Sequence, residues 1–157
     1  VQDDIDPAFR GPPAPSADDP ADLAVAIWRD SSAMIHAILR DRGIPYVHAL
    51  QPNQYVPDSK PLSAQELATA YVPDSIGAER VRHGYPRLIE AGAEIKAQGL
   101  PFYDMTGIFA GVTDDVYVDN CCHVNPTGNR ILAGAIADAI IEQLDIEQID
   151  QQESQSP

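Results

Sequence analysis

Positive charge is scarce in this sequence: 10 Lys and Arg stand against 24 Asp and Glu in 157 residues, a formal charge of −14 at pH 7. A surplus of carboxylates repels a phosphate backbone at every approach, which argues against nucleic acid as a partner. Long apolar runs are also missing, and no stretch comes near the ~20 residues that a membrane-spanning helix needs. No basic-then-apolar leader or signal peptide opens the chain, which begins on Val1 rather than Met and so reads as processed, excised or truncated at its start. The expectation is a soluble chain without a membrane span, its compartment left open. Cysteine is limited to Cys121 and Cys122. Neighbours in sequence seldom bridge each other, because a disulfide wants its Cα atoms about 4.4–6.8 Å apart, so no disulfide framework is expected. His36 and His83 have no Cys or Asp at zinc-ligand spacing. Neither a metal nor another cofactor is called for.

What is present suffices for one domain: the length and an apolar fraction of 44% allow a single hydrophobic core. Residues 1–19, rich in proline and acid, read as an irregular lead-in or linker. Residues 20–145 read as an α/β domain and 146–157 as a flexible acidic tail. Asp19-Pro20 pairs an N-cap residue with a proline suited to the first helical turn, and Leu23, Ile27, Met34, Ile35, Ile38 and Leu39 follow at helical spacing up to Gly43. Ile44 to Leu50 is a short, buried strand candidate, and 51–61, with three prolines, is a loop leaving its carboxyl end. Ser63-Ala64-Gln65-Glu66 fits a capping box for a short helix to about Tyr71. A longer helix is predicted from Ser75 to Gln98, irregular at Gly84-Tyr85-Pro86 and closed by Gly99. A second strand is predicted over Leu100–Met105, and a last helix from Pro126 to about Leu144. Helix and strand alternate with short connections, which predicts an α/β layer with a parallel sheet. Only two strands are visible, too few for a well-covered sheet, so the piece reads as incomplete.

Reactive groups in an open α/β sheet gather where loops leave the carboxyl ends of strands. His48 to Asn53, Asp104, Asp119 and His123 meet that condition. A histidine acting as general base needs a carboxylate to fix its tautomer and to stabilise the imidazolium, and Asp119 lies close enough to His123 in sequence to serve. A surface histidine beside a loop acid has the same spacing, so this pattern alone leaves both readings open.

The longer pattern is more specific. Val118-Asp119-x-x-x-His123-Val124-Asn125-Pro126-x-Gly128-Asn129-x-x-Leu132-Ala133 resembles the last block of the SGNH, or GDSL-type, hydrolases. Leu50 to Tyr55, Lys60-Pro61-Leu62 and Phe102 to Thr106 are similar to the middle region of bacterial members. The resemblance implies a flavodoxin-like three-layer α/β/α fold with a parallel sheet. It also implies hydrolysis of small acyl esters, with His123 as general base and Asp119 as its orienting acid. The family places its acid three residues before the histidine, where this chain has Asn120. Asp119 reaches only if the Cys121-Cys122 turn bulges, and Asp104 is the alternative acid. The family's serine, glycine and asparagine blocks do not occur in these residues, so the nucleophile is not evident. The chain therefore reads as a carboxyl-terminal half. Ser59, in the proline-rich loop, and Cys121 and Cys122, beside the histidine, are the alternative nucleophiles. Ser31 and Ser32 are expected to pack within a helix. Asn53, Gln54 and Tyr55 are the candidate substrate-binding residues. Expected partners are a small-molecule ester and either a missing amino-terminal half or a second copy of the chain. The alternative function is a catalytically incomplete α/β binding or interaction module that self-associates through an exposed sheet edge.

Overall fold

A computed structural model of the protein describes residues 19–154, with side chains through residue 145. The lead-in expected over 1–19 lies outside the described residues except for Asp19, as do the side chains of the expected acidic tail. Asp19 caps the first helix, α1 (Pro20–Asp41), by accepting the Ala21 amide at 2.9 Å. The helix ends where glycine permits a left-handed residue: Gly43 has φ 64°. The Ile44 amide returns to the Leu39 carbonyl (2.9 Å) and the Gly43 amide to that of Arg40 (3.0 Å), so the last carbonyls are satisfied in a Schellman turn. The long helix α3 (Ile76–Ala97) ends the same way at Gly99, φ 89°. The irregularity expected at Pro86 does not break it. Proline removes the amide that would donate to the Arg82 carbonyl, and the helix runs on through it; at the neighbouring carbonyl, that of His83, the Arg87 guanidinium donates at 2.7 Å.

Between these helices lie strand β1 (His48–Leu50) and, after α3, strand β2 (Phe102–Asp104), paired in parallel with His48 opposite Phe102 and Leu50 opposite Asp104. Both are shorter than the apolar runs around them, and flanking residues extend the pairing, the His48 amide donating to the Pro101 carbonyl (2.8 Å) and the Met105 amide to that of Leu50 (3.0 Å). The protein is thus a mixed α/β structure, mostly helical, with a two-stranded parallel sheet.

One core cluster joins the sheet to α1 and α3: Leu50, Ile95 and Phe102 are buried, with Trp28, Tyr85, Leu88 and Ile89 packed on them. Gly92 makes this approach possible, since a Cβ there would lie 2.1 Å from the Phe102 ring. A second cluster of Ala70, Phe109, Val116 and Tyr117 gathers the short helix α2 (Ala64–Thr69) and the segment leading to the final helix. That helix, α4 (Pro126–Ser154), continues past Leu144, where the apolar face was expected to end. Half of the residues from Asp145 to Ser154 are Glu or Gln, which are good helix formers. Among the described residues, no helix is long and apolar enough to cross a membrane.

Candidate functional site

The site grows from a hairpin. Val118 N–H donates to the His123 carbonyl (3.0 Å) and Asn125 N–H to that of Val116 (2.8 Å), with Tyr117 and Val124 bridged antiparallel. Asp119 and His123 therefore stand at the two sides of a short tip. Asp119 Oδ1 turns back to accept the amides of Cys121 (3.0 Å) and His123 (3.3 Å), an Asx turn that draws the chain around the carboxylate. Its other oxygen, Oδ2, lies 2.5 Å from His123 Nδ1. This turn lets Asp119, four residues before His123, reach the imidazole. The His123 hydrogen bond is the main reason that the Asp119 carboxyl is held below its ordinary range; slight burial opposes it, and the two amides add to it. With Nδ1–H donated to Asp119, Nε2 carries the ring's lone pair. The imidazole is 70% exposed and the carboxylate 41%. Among the described residues, no hydroxyl or thiol is hydrogen-bonded to Nε2.

The tip is braced from beneath by the loop that leaves β1. Three consecutive side chains there donate to three consecutive carbonyls of the tip: Gln54 Nε2 to Asp119 (2.9 Å), Tyr55 Oη to Asn120 (3.1 Å) and Asn53 Nδ2 to Cys121 (3.3 Å). All three residues are buried, each about 4% exposed. Tyr55 Oη also accepts the Val72 amide (3.0 Å), and Asn53 Oδ1 accepts the Tyr55 amide (3.1 Å). The candidate substrate-binding residues thus direct these groups at the backbone that carries Asp119 and His123.

Glu66 fixes the other flank. Its side chain is 1% exposed and that of Lys60 0%, and the two are joined at 2.7 Å. Glu66 Oε1 accepts the amides of Val116 (2.9 Å) and Tyr117 (3.0 Å), while Oε2 also accepts that of Ser63 (3.0 Å). Burial would raise this carboxyl, but the lysine and the three amides outweigh it and hold the group below its usual range. A buried charge with so many donors is tolerable, where an unpaired one would not be. The capping box read from sequence is formed, with Ser63 Oγ accepting the Glu66 amide. The lysine and hairpin contacts of Glu66 had no local sequence signal.

At the hairpin's exit, Asn125 caps α4 by accepting the Gly128 amide (2.9 Å), and its Nδ2 donates to the Asp115 carbonyl (2.6 Å). A Cβ on Gly128 would meet Val124 at 2.7 Å. The Asn-Pro-x-Gly pattern therefore has a local purpose: it docks the helix start tightly against the hairpin.

The remaining candidates make other contacts. Ser59 is 3% exposed, and its hydroxyl donates to the Asn53 carbonyl (2.9 Å). Asp104 caps the turn after β2 by accepting the Thr106 amide (2.9 Å). Burial pushes the Cys122 thiol up, with its Cys121 neighbour adding to that, whereas Cys121 is exposed. Sequence reasoning missed a Ser–His contact: Ser32 Oγ lies 2.6 Å from His48 Nδ1, and 3.2 Å from Tyr46 Oη. Ser32 is 2% exposed, so this pair joins α1 to β1 inside the fold rather than facing a substrate. Its separation of 16 residues, between a helix and a strand, leaves no local pattern. Among the described residues, no group of three or more His, Cys, Asp or Glu is gathered to hold a metal ion. No family model, curated protein or solved structure matches the chain.

Proposed function

We infer that this chain carries the general-base corner of an SGNH-type ester hydrolase with a flavodoxin-like architecture, acting on small acyl esters. The observation behind the reading is the 2.5 Å contact between His123 Nδ1 and Asp119 Oδ2, which leaves Nε2 open to solvent. In that tautomer Nε2 takes the proton of an attacking hydroxyl, and the carboxylate stabilises the imidazolium that forms. The nucleophile comes from outside the described residues, either from a preceding segment or from a second chain. Among the cysteines, the exposed Cys121 is the better-placed substitute.

Hydrolysis of a short-chain aryl ester, by the protein together with the segment or second chain that supplies the nucleophile, tests this. His123→Ala and Asp119→Asn are each expected to lower kcat by about 10²-fold or more. Equal rates for parent and His123→Ala would overturn the reading.

A second reading, an α/β interaction module without catalysis, is favoured by the two-stranded sheet and by the exposed apolar residues Ile27, Met34, Ile35 and Ile38 on α1. It expects no esterase activity and an oligomer by light scattering.

A further inference from the structure

The hairpin tip carries a second reactive arrangement. Adjacent residues of an extended strand point to opposite faces, yet the turn brings Cys121 Sγ and Cys122 Sγ to 3.4 Å of each other. The backbone that holds them is fixed on both sides: the Cys121 amide donates to Asp119 Oδ1 (3.0 Å), and its carbonyl accepts from Asn53 Nδ2 (3.3 Å). Both thiols are free, Cys121 exposed and Cys122 half-buried. An accessible thiol with a second, sheltered thiol within reach matches the pairing of an attacking and a resolving cysteine.

We propose that Cys121-Cys122 is a site of reversible oxidation by a hydroperoxide. In the first step the Cys121 sulfur attacks the peroxide: an S–O bond forms, the O–O bond breaks, and the remainder leaves as water or an alcohol with the thiol proton. Cys121 is then a sulfenic acid. In the second step the Cys122 sulfur displaces the hydroxyl: the S–S bond forms, the S–O bond breaks, and water leaves with the Cys122 proton. Two electrons pass from the sulfurs to the peroxide. The trans peptide between adjacent residues fixes their Cα atoms about 3.8 Å apart, short of the usual ~4.4–6.8 Å for a disulfide. The bond is consequently strained and readily reduced, as labile, regulatory disulfides are.

Closure also reaches the dyad. The sulfurs must approach from 3.4 Å to a bond length of about 2.05 Å, which rotates the Cys121–Cys122 peptide. That peptide lies between the two amides that Asp119 Oδ1 accepts, so oxidation loosens the carboxylate that holds His123. The inference rests on the loop geometry and holds whether or not the chain hydrolyses esters.

Peroxide treatment of the full chain, followed by N-ethylmaleimide labelling and peptide mapping, tests it without an activity assay. The peptide containing both cysteines is expected to lose two hydrogens, to take no label, and to revert with dithiothreitol. Cys122→Ser is expected to stop at a Cys121 sulfenic acid that dimedone captures. The His123 ring signals in the NMR spectrum are expected to move on oxidation of the parent and to return on reduction. An intermolecular disulfide, a Cys121 sulfinic acid with Cys122 still open to label, or two labelled cysteines after peroxide would overturn the site. A vicinal disulfide with unmoved His123 signals would overturn its coupling to the dyad.

Discussion

Tyr55 shows how much one side chain can hold at this site. Its hydroxyl donates to the Asn120 carbonyl and accepts the Val72 amide, so the loop after β1, the end of α2 and the hairpin tip meet at one oxygen. Tyr55→Phe keeps the ring and leaves both backbone groups without that partner. The expected loss is about 1–3 kcal/mol of folding stability, read as a lower urea midpoint at unchanged slope. A parent-like midpoint would show that water replaces the hydroxyl at no cost. From sequence, Asn53, Gln54 and Tyr55 were legible as polar groups on a loop at a strand's carboxyl end. Amides and phenols make the same hydrogen bonds to a ligand as to a backbone carbonyl, so their partners could not be read locally. The Asp119–His123 contact was legible because both residues lie on one short turn.

At the scale of elements, α3 contains a paired test of packing against propensity. Gly84 and Gly92 are both helical, yet a Cβ at Gly84 meets nothing within 4 Å, while one at Gly92 would lie 2.1 Å from Phe102. Gly84→Ala is expected to stabilise the protein by up to about 1 kcal/mol through helix propensity. Gly92→Ala is expected to destabilise it by about 1–3 kcal/mol through overpacking. Opposite shifts of the thermal midpoint check the pair, and equal shifts would remove the close helix–strand contact from the account. Helix starts at Asp19 and Ser63 and helix ends at Gly43 and Gly99 could be read from sequence, because caps and left-handed glycines act within a few residues. The unbroken course of α3 through Pro86 could not, since proline marks an interruption locally while the packing of α3 against α1 and the sheet comes from residues distant along the chain.

For the whole molecule, the distribution of charge sets a pH response. Burial between Trp28, Phe102 and Ser32 lowers the His48 pKa from its ordinary 6.5. The folded state then binds fewer protons than the unfolded one, so the contribution of His48 is complete above about pH 6.5 and is lost as pH falls through the folded value. Thermal midpoints measured from pH 7.5 to 5.5, above the range where ordinary carboxylates titrate, are expected to decline more in the parent than in His48→Gln. Identical slopes would contradict this. Glu66 acts at lower pH with the sign of a depressed carboxyl: its contribution is present above its ordinary value of 4.5 and is lost as pH falls further.

Taken by itself, the sequence determined its acidic balance and what short-range chemistry controls: the capped helices, the two apolar strand segments, and the Asp119–His123 turn. Only the tertiary structure decided what depends on partners distant along the chain. It set Glu66 and Lys60 beneath the hairpin, spent Asn53, Gln54 and Tyr55 on the tip carbonyls, buried Ser59, and joined Ser32 to His48. The physical reason is range. A cap or an Asx turn is complete within a few residues, whereas a buried hydrogen bond takes its meaning from whichever backbone the fold brings opposite, and no local pattern encodes that choice.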